Sequence, residues 1–283
     1  MSADRVVDQL SDVWVAMPIG GMATRAREMT NDAVPKHLLR LDSGETILST
    51  ICRELQRIGF RRFVFCVGHL CDQIVEHLRG EEWIWKEGVS YVFSEERTPL
   101  GPDGAVLAAV KRWQLQGQVL MMPGDLLLPW DEVAEMTLAH ARREPSMTAA
   151  VTSHITPRTT DVGRFIVDAA TWRLRHVYDR SQPVSPTAPG ELALTSAGAI
   201  VLSTDHFVEV CEGYAEAHAG ENGPLGLRDN VFPWAIESGG FNMYAHDLRG
   251  ELLDLGTPAN IRHGRENWQR YVSTQVAGIR SSR

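Results

Sequence analysis

Trp14-Val15-Ala16-Met17-Pro18-Ile19-Gly20-Gly21-Met22-Ala23-Thr24-Arg25 is the stretch on which the fold turns. An apolar run of strand length that breaks on a glycine pair reads as a buried β-strand feeding a tight turn. The same unit recurs downstream. Ile47, Leu48, Ile51, Leu55 and Ile58 form an i, i+4, i+8 stripe that predicts an amphipathic helix over Ile47–Ile58, with Gly59 as its stop and Phe63–Val67 as the next strand. Cys71–Leu78 reads as a helix and Val89–Phe93 as a strand. Gly104–Trp113 reads as a helix, Val119–Pro123 as a buried strand ending at Gly124-Asp125, Pro129–Arg143 as a helix and Thr148–Thr152 as a strand. Strands alternating with helices predict a mostly parallel sheet covered by helices.

Beyond residue 153 the pattern changes. Gly163–Asp168, Leu174–Tyr178 and Ala197–Leu202 read as short strands between turns, and Pro183, Pro186 and Pro189 mark one loop. Helices are expected at Thr204–His218, Asn230–Ser238 and Ala259–Val276. No flexible linker separates the halves, so 1–283 reads as one domain. It has a first half over about 13–153, a more antiparallel half over about 154–267, and a C-terminal helical segment within 259–283.

Composition narrows the function classes. The 283 residues are about twice the ~150 of a typical domain. A content of 43% hydrophobic and 23% charged residues excludes a mostly disordered chain. Acids outnumber Lys plus Arg, 36 to 28, with no strongly basic stretch, which argues against a nucleic-acid partner. No apolar run reaches the ~18–20 residues of a membrane span. The first residues carry acids where a signal peptide needs a basic start. The four cysteines, Cys52, Cys66, Cys71 and Cys211, form no CxxC pair and read as reduced core thiols. A cytoplasmic protein is therefore expected. The histidines lack HxxxH or HExxH spacing, and no GxSxG serine is present, so neither a zinc site nor a hydrolase nucleophile is supported.

Three segments carry chemistry. Gly20-Gly21 lets consecutive backbone N–H groups converge on an anion, Thr24 adds a hydroxyl donor, and Arg25 and Lys36 add charges suited to phosphate oxygens. The same residues also fit a plain strand–turn–helix connection with solvated cations, and neither the P-loop order nor GxGxxG is present. Asp125 stands at the carboxyl end of a buried strand, where open α/β sheets place ligands and a hard metal can be held. Asp254, flanked by Leu253 and Leu255, is costly to bury unless paired or metal-bound; it also fits a cap for the following helix. His37, beside Lys36, is a further phosphate candidate.

GGMATR (Gly20–Arg25) followed by PKHLL (Pro35–Leu39) resembles the GGxGTR…PKxLxP opening of the sugar-1-phosphate nucleotidyltransferases. Pro99-Leu100-Gly101-Pro102-Asp103-Gly104-Ala105 resembles that family's PLGTAGA base-binding loop, and Gly124-Asp125 its metal-binding GD. Ser196–Ile200 resembles NAGIY, Asp229–Pro233 resembles DVFP, and Asp254–Pro258 resembles DIGTP. The resemblance runs from about Val13 to Asn267. It implies a Rossmann-like three-layer α/β/α nucleotidyltransferase fold with a mixed, mostly parallel central sheet, a nucleotide-binding first half and a sugar-phosphate-binding second half. It implies an enzyme that condenses an NTP with a sugar 1-phosphate into an NDP-sugar and pyrophosphate. Arg25 and Lys36 would be catalytic, and Asp125 and Asp254 would hold Mg2+. Gly20, Gly21, Met22, Ala23, Thr24, Pro99, Gly101 and Gly104 would bind the nucleotide, and Gly163, Asp179, Arg180 and Ser196 the sugar phosphate. Ala23 replaces the usual Gly, Pro102-Asp103 the usual Thr-Ala, and Asp179-Arg180 stands where Glu-Lys is usual. These departures keep two alternatives open: a cytidylyltransferase acting on a non-sugar phosphate or phosphonate, and a catalytically silent regulatory homologue. Similar enzymes form dimers and tetramers, so homo-oligomerisation stays open. Trp83 and Trp85 read as packing or oligomer contacts.

Overall fold

The computed structural model describes residues 9–81, 88–153, 164–178, 188–219 and 225–272. Four parallel strands form its centre: β1 (Trp14–Pro18), β2 (Arg62–Val67), β3 (Ser90–Glu95) and β4 (Gln118–Met121), in the order β3-β2-β1-β4. Both sheet faces are covered, so β1, β2 and β4 read as apolar runs rather than alternating, while the edge strand β3 also carries Ser90, Ser94 and Glu95. In β1, Val15 and Met17 enter one core and Ala16 the other; in β2, Phe63, Phe65 and Val67 oppose Val64 and Cys66.

The first core is covered by helices α1 (Ile47–Ile58), α2 (Cys71–Gly80), α4 (Trp130–Arg143) and α7 (Pro258–Val272). The second is covered by α3 (Gly101–Trp113), α5 (Thr204–Ala217) and α6 (Phe232–Ser238). Helix α1 occupies the predicted residues because its ends are signalled locally. The Thr46 side chain accepts from Ser49 N, and Gly59, at φ 125°, stops it. Helix α3 begins at Gly101, three residues before the expected Gly104, because Pro102 suits a first helical turn that needs no N–H from it.

From β1 the chain builds β2 and β3 outward, then returns to lay β4 on the other side of β1. The crevice outside the carboxyl ends of β1 and β4 is thus the switch point at which open sheets take ligands.

The sheet continues through strands of mixed direction. β9 (Glu191–Ser203) runs antiparallel to β4, to β6 (Met147–Thr152) and to β7 (Arg164–Asp168); β8 (Leu174–Tyr178) pairs with β7, and β10 (Met243–Asp247) is parallel to β6. The expected strand Ala197–Leu202 is only the inner part of β9. Residues 191–195 pair with β7, and their partly exposed face hides the strand pattern in the sequence. β10 is not anticipated from the sequence, and the two-residue pair β5 (Leu126–Leu127) with β11 (Leu253–Asp254) is too short to show a period. A π-helical turn, Leu227–Val231, precedes α6 where one helix was expected from Asn230. All four cysteines are free, and burial pushes the Cys66 and Cys211 thiols up to about 12. Among the described residues, no helix is long and apolar enough to cross a membrane.

Candidate active site

The turn after β1 is built by close backbone contact. Ile19 N donates to Cys66 O at 2.9 Å, and His69 N donates to Gly20 O at 2.9 Å. A Cβ on Gly20 would stand 2.7 Å from Gly68 N and 2.9 Å from Glu96 Oε1, so only glycine fits there. Gly21 faces open space. Ala23 is left-handed (φ 50°, ψ 40°) and starts the short 3₁₀ turn Thr24–Ala26, which carries Arg25. A cleft of about 460 Å³ opens over this turn, lined by Gly20, Gly21, Met22, Glu96, Pro99 and Gly101 among others. Ala23 and Thr24 lie beside it rather than in its lining. Gly104 does not line it either: it faces Leu100 and Leu225 along a separate groove.

A charged corner adjoins the turn. Asp125, only 5% exposed, forms an ion pair with Lys36. Its approach needs Gly124, where a Cβ would fall 2.5 Å from Ile19 Cγ2 and 3.2 Å from His37 Cδ2. The β5–β11 pair then brings in the distant acid: Leu255 N donates to Asp125 O at 2.9 Å, and Asp254 sits opposite Leu126. Asp254 Oδ1 accepts from Gly256 N at 2.7 Å, and Asn260 Nδ2 donates to Asp254 O at 2.7 Å. Arg25 Nη2 lies 2.9 Å from the position a Gly256 Cβ would take, which sets the guanidinium beside Asp254. The structure thus gathers Arg25, Lys36, Asp125 and Asp254.

Electrostatics reflect that proximity. Burial works against ionising Asp125, yet the Lys36 charge holds its carboxyl below the usual range. Burial and then the Asp125 charge raise the Asp254 carboxyl, against Arg25. Burial, and next Lys36, pull His37 down to about 3. His37 is therefore neutral and fills space beneath Gly124, and it offers phosphate no charge.

The second half adds Ser196, 5% exposed on β9, whose Oγ accepts from Gly198 N at 3.2 Å and, at a long 3.5 Å, from Arg228 Nη1. Gly198 is required there: at φ 82°, a Cβ would meet Leu126 Cδ1 at 2.5 Å. Arg228 and Glu96 escape sequence reasoning, the only available signal for Glu96 being its position just past a strand's carboxyl end. Asp103 belongs to the segment that resembles the base-binding loop, yet it does not line the cleft. Its Oδ2 instead accepts from Leu227 N at 2.7 Å, tying α3 to the π-helical turn, and burial raises its carboxyl to about 6. Gly163, Asp179 and Arg180, like Trp83 and Trp85, lie outside the described residues.

Among the described residues, no three His, Cys, Asp or Glu side chains cluster to hold a metal. Asp125 and Asp254 nevertheless supply paired hard oxygen donors whose mutual repulsion a dication would relieve. Mg2+ is commonly bound by one or two carboxylates, with phosphates and water completing its shell, so this donor set fits it.

The profile of the MobA-like NTP transferase domain matches residues 19–205, well over half of the chain. The chain belongs to that family. This NTP transferase domain is a nucleotidyltransferase by family, and its fold has counterparts among solved structures. The inositol-1-phosphate CTP transferase from T. maritima superposes with a TM-score of 0.69 at 16% identity, over 92% of this chain and 97% of that one. HddC from Yersinia pseudotuberculosis, complexed with GMP-PN, gives 0.66 at 16% identity over 90% and 99%. A second crystal structure of HddC from Yersinia pseudotuberculosis gives 0.67 at 16% identity over 90% and 99%. No curated protein matches the chain by sequence.

Proposed function

We propose that this NTP transferase domain condenses an NTP with a sugar 1-phosphate, giving an NDP-sugar and pyrophosphate. The observation that carries the reading is the meeting of Arg25, Lys36, Asp125 and Asp254 beside the glycine turn at the switch point of the sheet. The triphosphate lies over the Gly20–Gly21 backbone with its base in the adjoining cleft. An oxygen of the acceptor phosphate attacks the α-phosphorus in line; a new P–O bond forms, and the bond to the β-phosphate bridging oxygen breaks with its electron pair on pyrophosphate. No enzyme-bound covalent intermediate and no proton transfer are needed, because the attacking oxygen is already anionic. The protein's task is to orient two anions and offset charge. Arg25 stabilises charge growing on the α-phosphoryl group and the leaving pyrophosphate, and Lys36 neutralises phosphate from the other side. Mg2+ held by Asp125 and Asp254 supplies, when bound, further positive charge against the phosphate oxygens. Ser196 belongs to the acceptor side, with Gly163, Asp179 and Arg180 as its expected companions.

A second reading keeps the chemistry and changes the acceptor. The likeness to an inositol-1-phosphate CTP transferase supports a polyol phosphate in place of a sugar 1-phosphate. Incubating the protein with each NTP, Mg2+ and a panel of sugar and polyol phosphates, and measuring pyrophosphate, separates the two. Asp125→Asn and Asp254→Asn should each remove most turnover; Asp254→Asn should melt near the wild-type temperature, whereas Asp125→Asn, which leaves the Lys36 ammonium without its carboxylate, should melt lower. Pyrophosphate release from no combination would leave a regulatory binding protein as the reading.

A further inference from the structure

The four charges of the corner are matched within the protein. Lys36 Nζ donates to Asp125 Oδ2, and among the described residues neither side chain has another ion pair or hydrogen bond. Arg25 lies beside Asp254. The two members of the first couple differ in freedom. Asp125 is 5% exposed, and its carbonyl accepts Leu255 N–H from β11 at 2.9 Å, so strand pairing fixes its backbone. Lys36 opens the short 3₁₀ turn Lys36–Leu38, held by Leu39 N–H donating to Lys36 O at 3.1 Å and by His37 packed under Gly124. Its ammonium, by contrast, rides on a flexible four-carbon stem with three rotatable donors. The part of the couple that can move is the Lys36 side chain. Two positive and two negative charges leave the corner close to neutral, so its field draws neither a bare dication nor a bare triphosphate strongly. An ammonium on Asp125 Oδ2 also covers lone pairs that a hard cation needs, and a lysine held there is not free to neutralise phosphate.

Resting on the nucleotidyl-transfer reading above, we propose that the Lys36–Asp125 pair is an autoinhibitory contact: Lys36 shields Asp125 from metal until a triphosphate draws the ammonium away. In the paired arrangement both groups are withheld from the reaction. When phosphate oxygens arrive over the Gly20–Gly21 turn, Lys36 exchanges one anionic partner for another. Asp125 is then left buried with an unbalanced charge, which favours a dication. The exchange makes nucleotide and metal promote each other's binding, and by linkage the effect is equal in both directions. A corner built this way admits the metal–nucleotide complex and discriminates against the free divalent ion.

The test is calorimetric titration of the full chain with Mn2+ alone, and with ATP, CTP, GTP and UTP in EDTA. Wild type is compared with Lys36→Met, Asp125→Asn and Asp254→Asn. Lys36→Met should bind Mn2+ about 10- to 100-fold more tightly than wild type, and should bind NTP more weakly by a similar factor. Its melting temperature should fall in EDTA, because Asp125 loses its counter-ion, and should recover when Mn2+ is added. Asp125→Asn frees the ammonium and should bind NTP in EDTA more tightly than wild type. It should also bind more tightly than Asp254→Asn, which removes the same charge but leaves Lys36 on Asp125. Mn2+ binding by Lys36→Met no tighter than by wild type would overturn the proposal and leave the nucleotide site standing. So would equal NTP affinity in Asp125→Asn and Asp254→Asn, a comparison that does not depend on Lys36→Met folding. Binding of no NTP by wild type, with or without Mn2+, would overturn both this inference and the reading on which it rests.

Discussion

Gly256 offers a way to move Arg25 without changing any charge. Gly256 is buried next to Asp254, and its backbone is outside the left-handed region, so alanine can adopt its angles. The added Cβ would stand 2.9 Å from Arg25 Nη2, 3.3 Å from its Cζ and 2.8 Å from Asp254 Oδ1. Ordinary contact starts at 3.4 Å, so the guanidinium must retreat by about 0.5 Å or more. Misplacing a catalytic group by 1 Å can cost ~10²-fold in rate, so Gly256→Ala should lower kcat by about 10- to 100-fold. The NTP Kd should change by less than about 3-fold, because the Gly20–Gly21 donors are untouched and the lost interaction belongs to the transition state. Overpacking costs ~1–3 kcal/mol, and the stiffer unfolded chain returns about 0.4–1 kcal/mol, so a stability loss of about 1 kcal/mol is expected. Pyrophosphate-release kinetics, NTP calorimetry and a denaturant melt read the three quantities. Wild-type kcat in Gly256→Ala would show that the position of Arg25 does not govern the rate, and the catalytic assignment of this corner would fall with it.

Removing Arg25 outright should be more severe. Arg25→Ala is expected to lower kcat by about 10²–10³-fold, and Arg25→Lys to recover only part, since a point charge cannot copy a planar fork; unchanged turnover in Arg25→Ala would make it a solvated loop residue. Ala23→Gly should stabilise the fold. The left-handed alanine costs ~1–2 kcal/mol and glycine's freer unfolded chain offsets about 0.4–1 kcal/mol of that, leaving about 0.5–1 kcal/mol, readable as a higher urea midpoint at unchanged slope. Asp103 carries a pH signature. With its folded pKa raised from 3.8 to about 6, its favourable contribution is complete below pH 4 and is lost as pH rises through 6. Asp103→Asn keeps the acceptor for Leu227 N. Between pH 4 and 7 it should therefore gain about 1 kcal/mol over wild type, trimmed from the full linkage value because water reaches this half-buried carboxyl. A stability difference that does not vary with pH would contradict the raised pKa.

Much of the scaffold was legible because its signals are local. β1, α1 and β8 occupy the residues that periodicity and punctuation assign to them. Apolar runs and stripes record which faces must leave water, and Thr46 and Gly59 satisfy or end a helix using atoms a few residues away. For the same reason Asp125 could be singled out: a carboxylate directly after a buried strand is placed by that strand. The partnership of Asp125 with Lys36 and Asp254 is another matter. It depends on β5 and β11, two residues each, which carry no period and become strands only because folding lays one against the other. Asp103 shows the converse. A motif suggested that it faces the base, but the Leu227 N–H, brought near by the packing of α3 beside the π-helical turn, captured its carboxylate. Glu96 and Arg228 look like any exposed charges in the sequence and gain meaning from Gly20 and Ser196 beside them. Local hydrophobic pattern determined which segments become strands and helices. Which charged groups share a site was decided by tertiary contact alone, because electrostatic and hydrogen-bonding partners are chosen by distance in space, and distance along the chain carries no record of it.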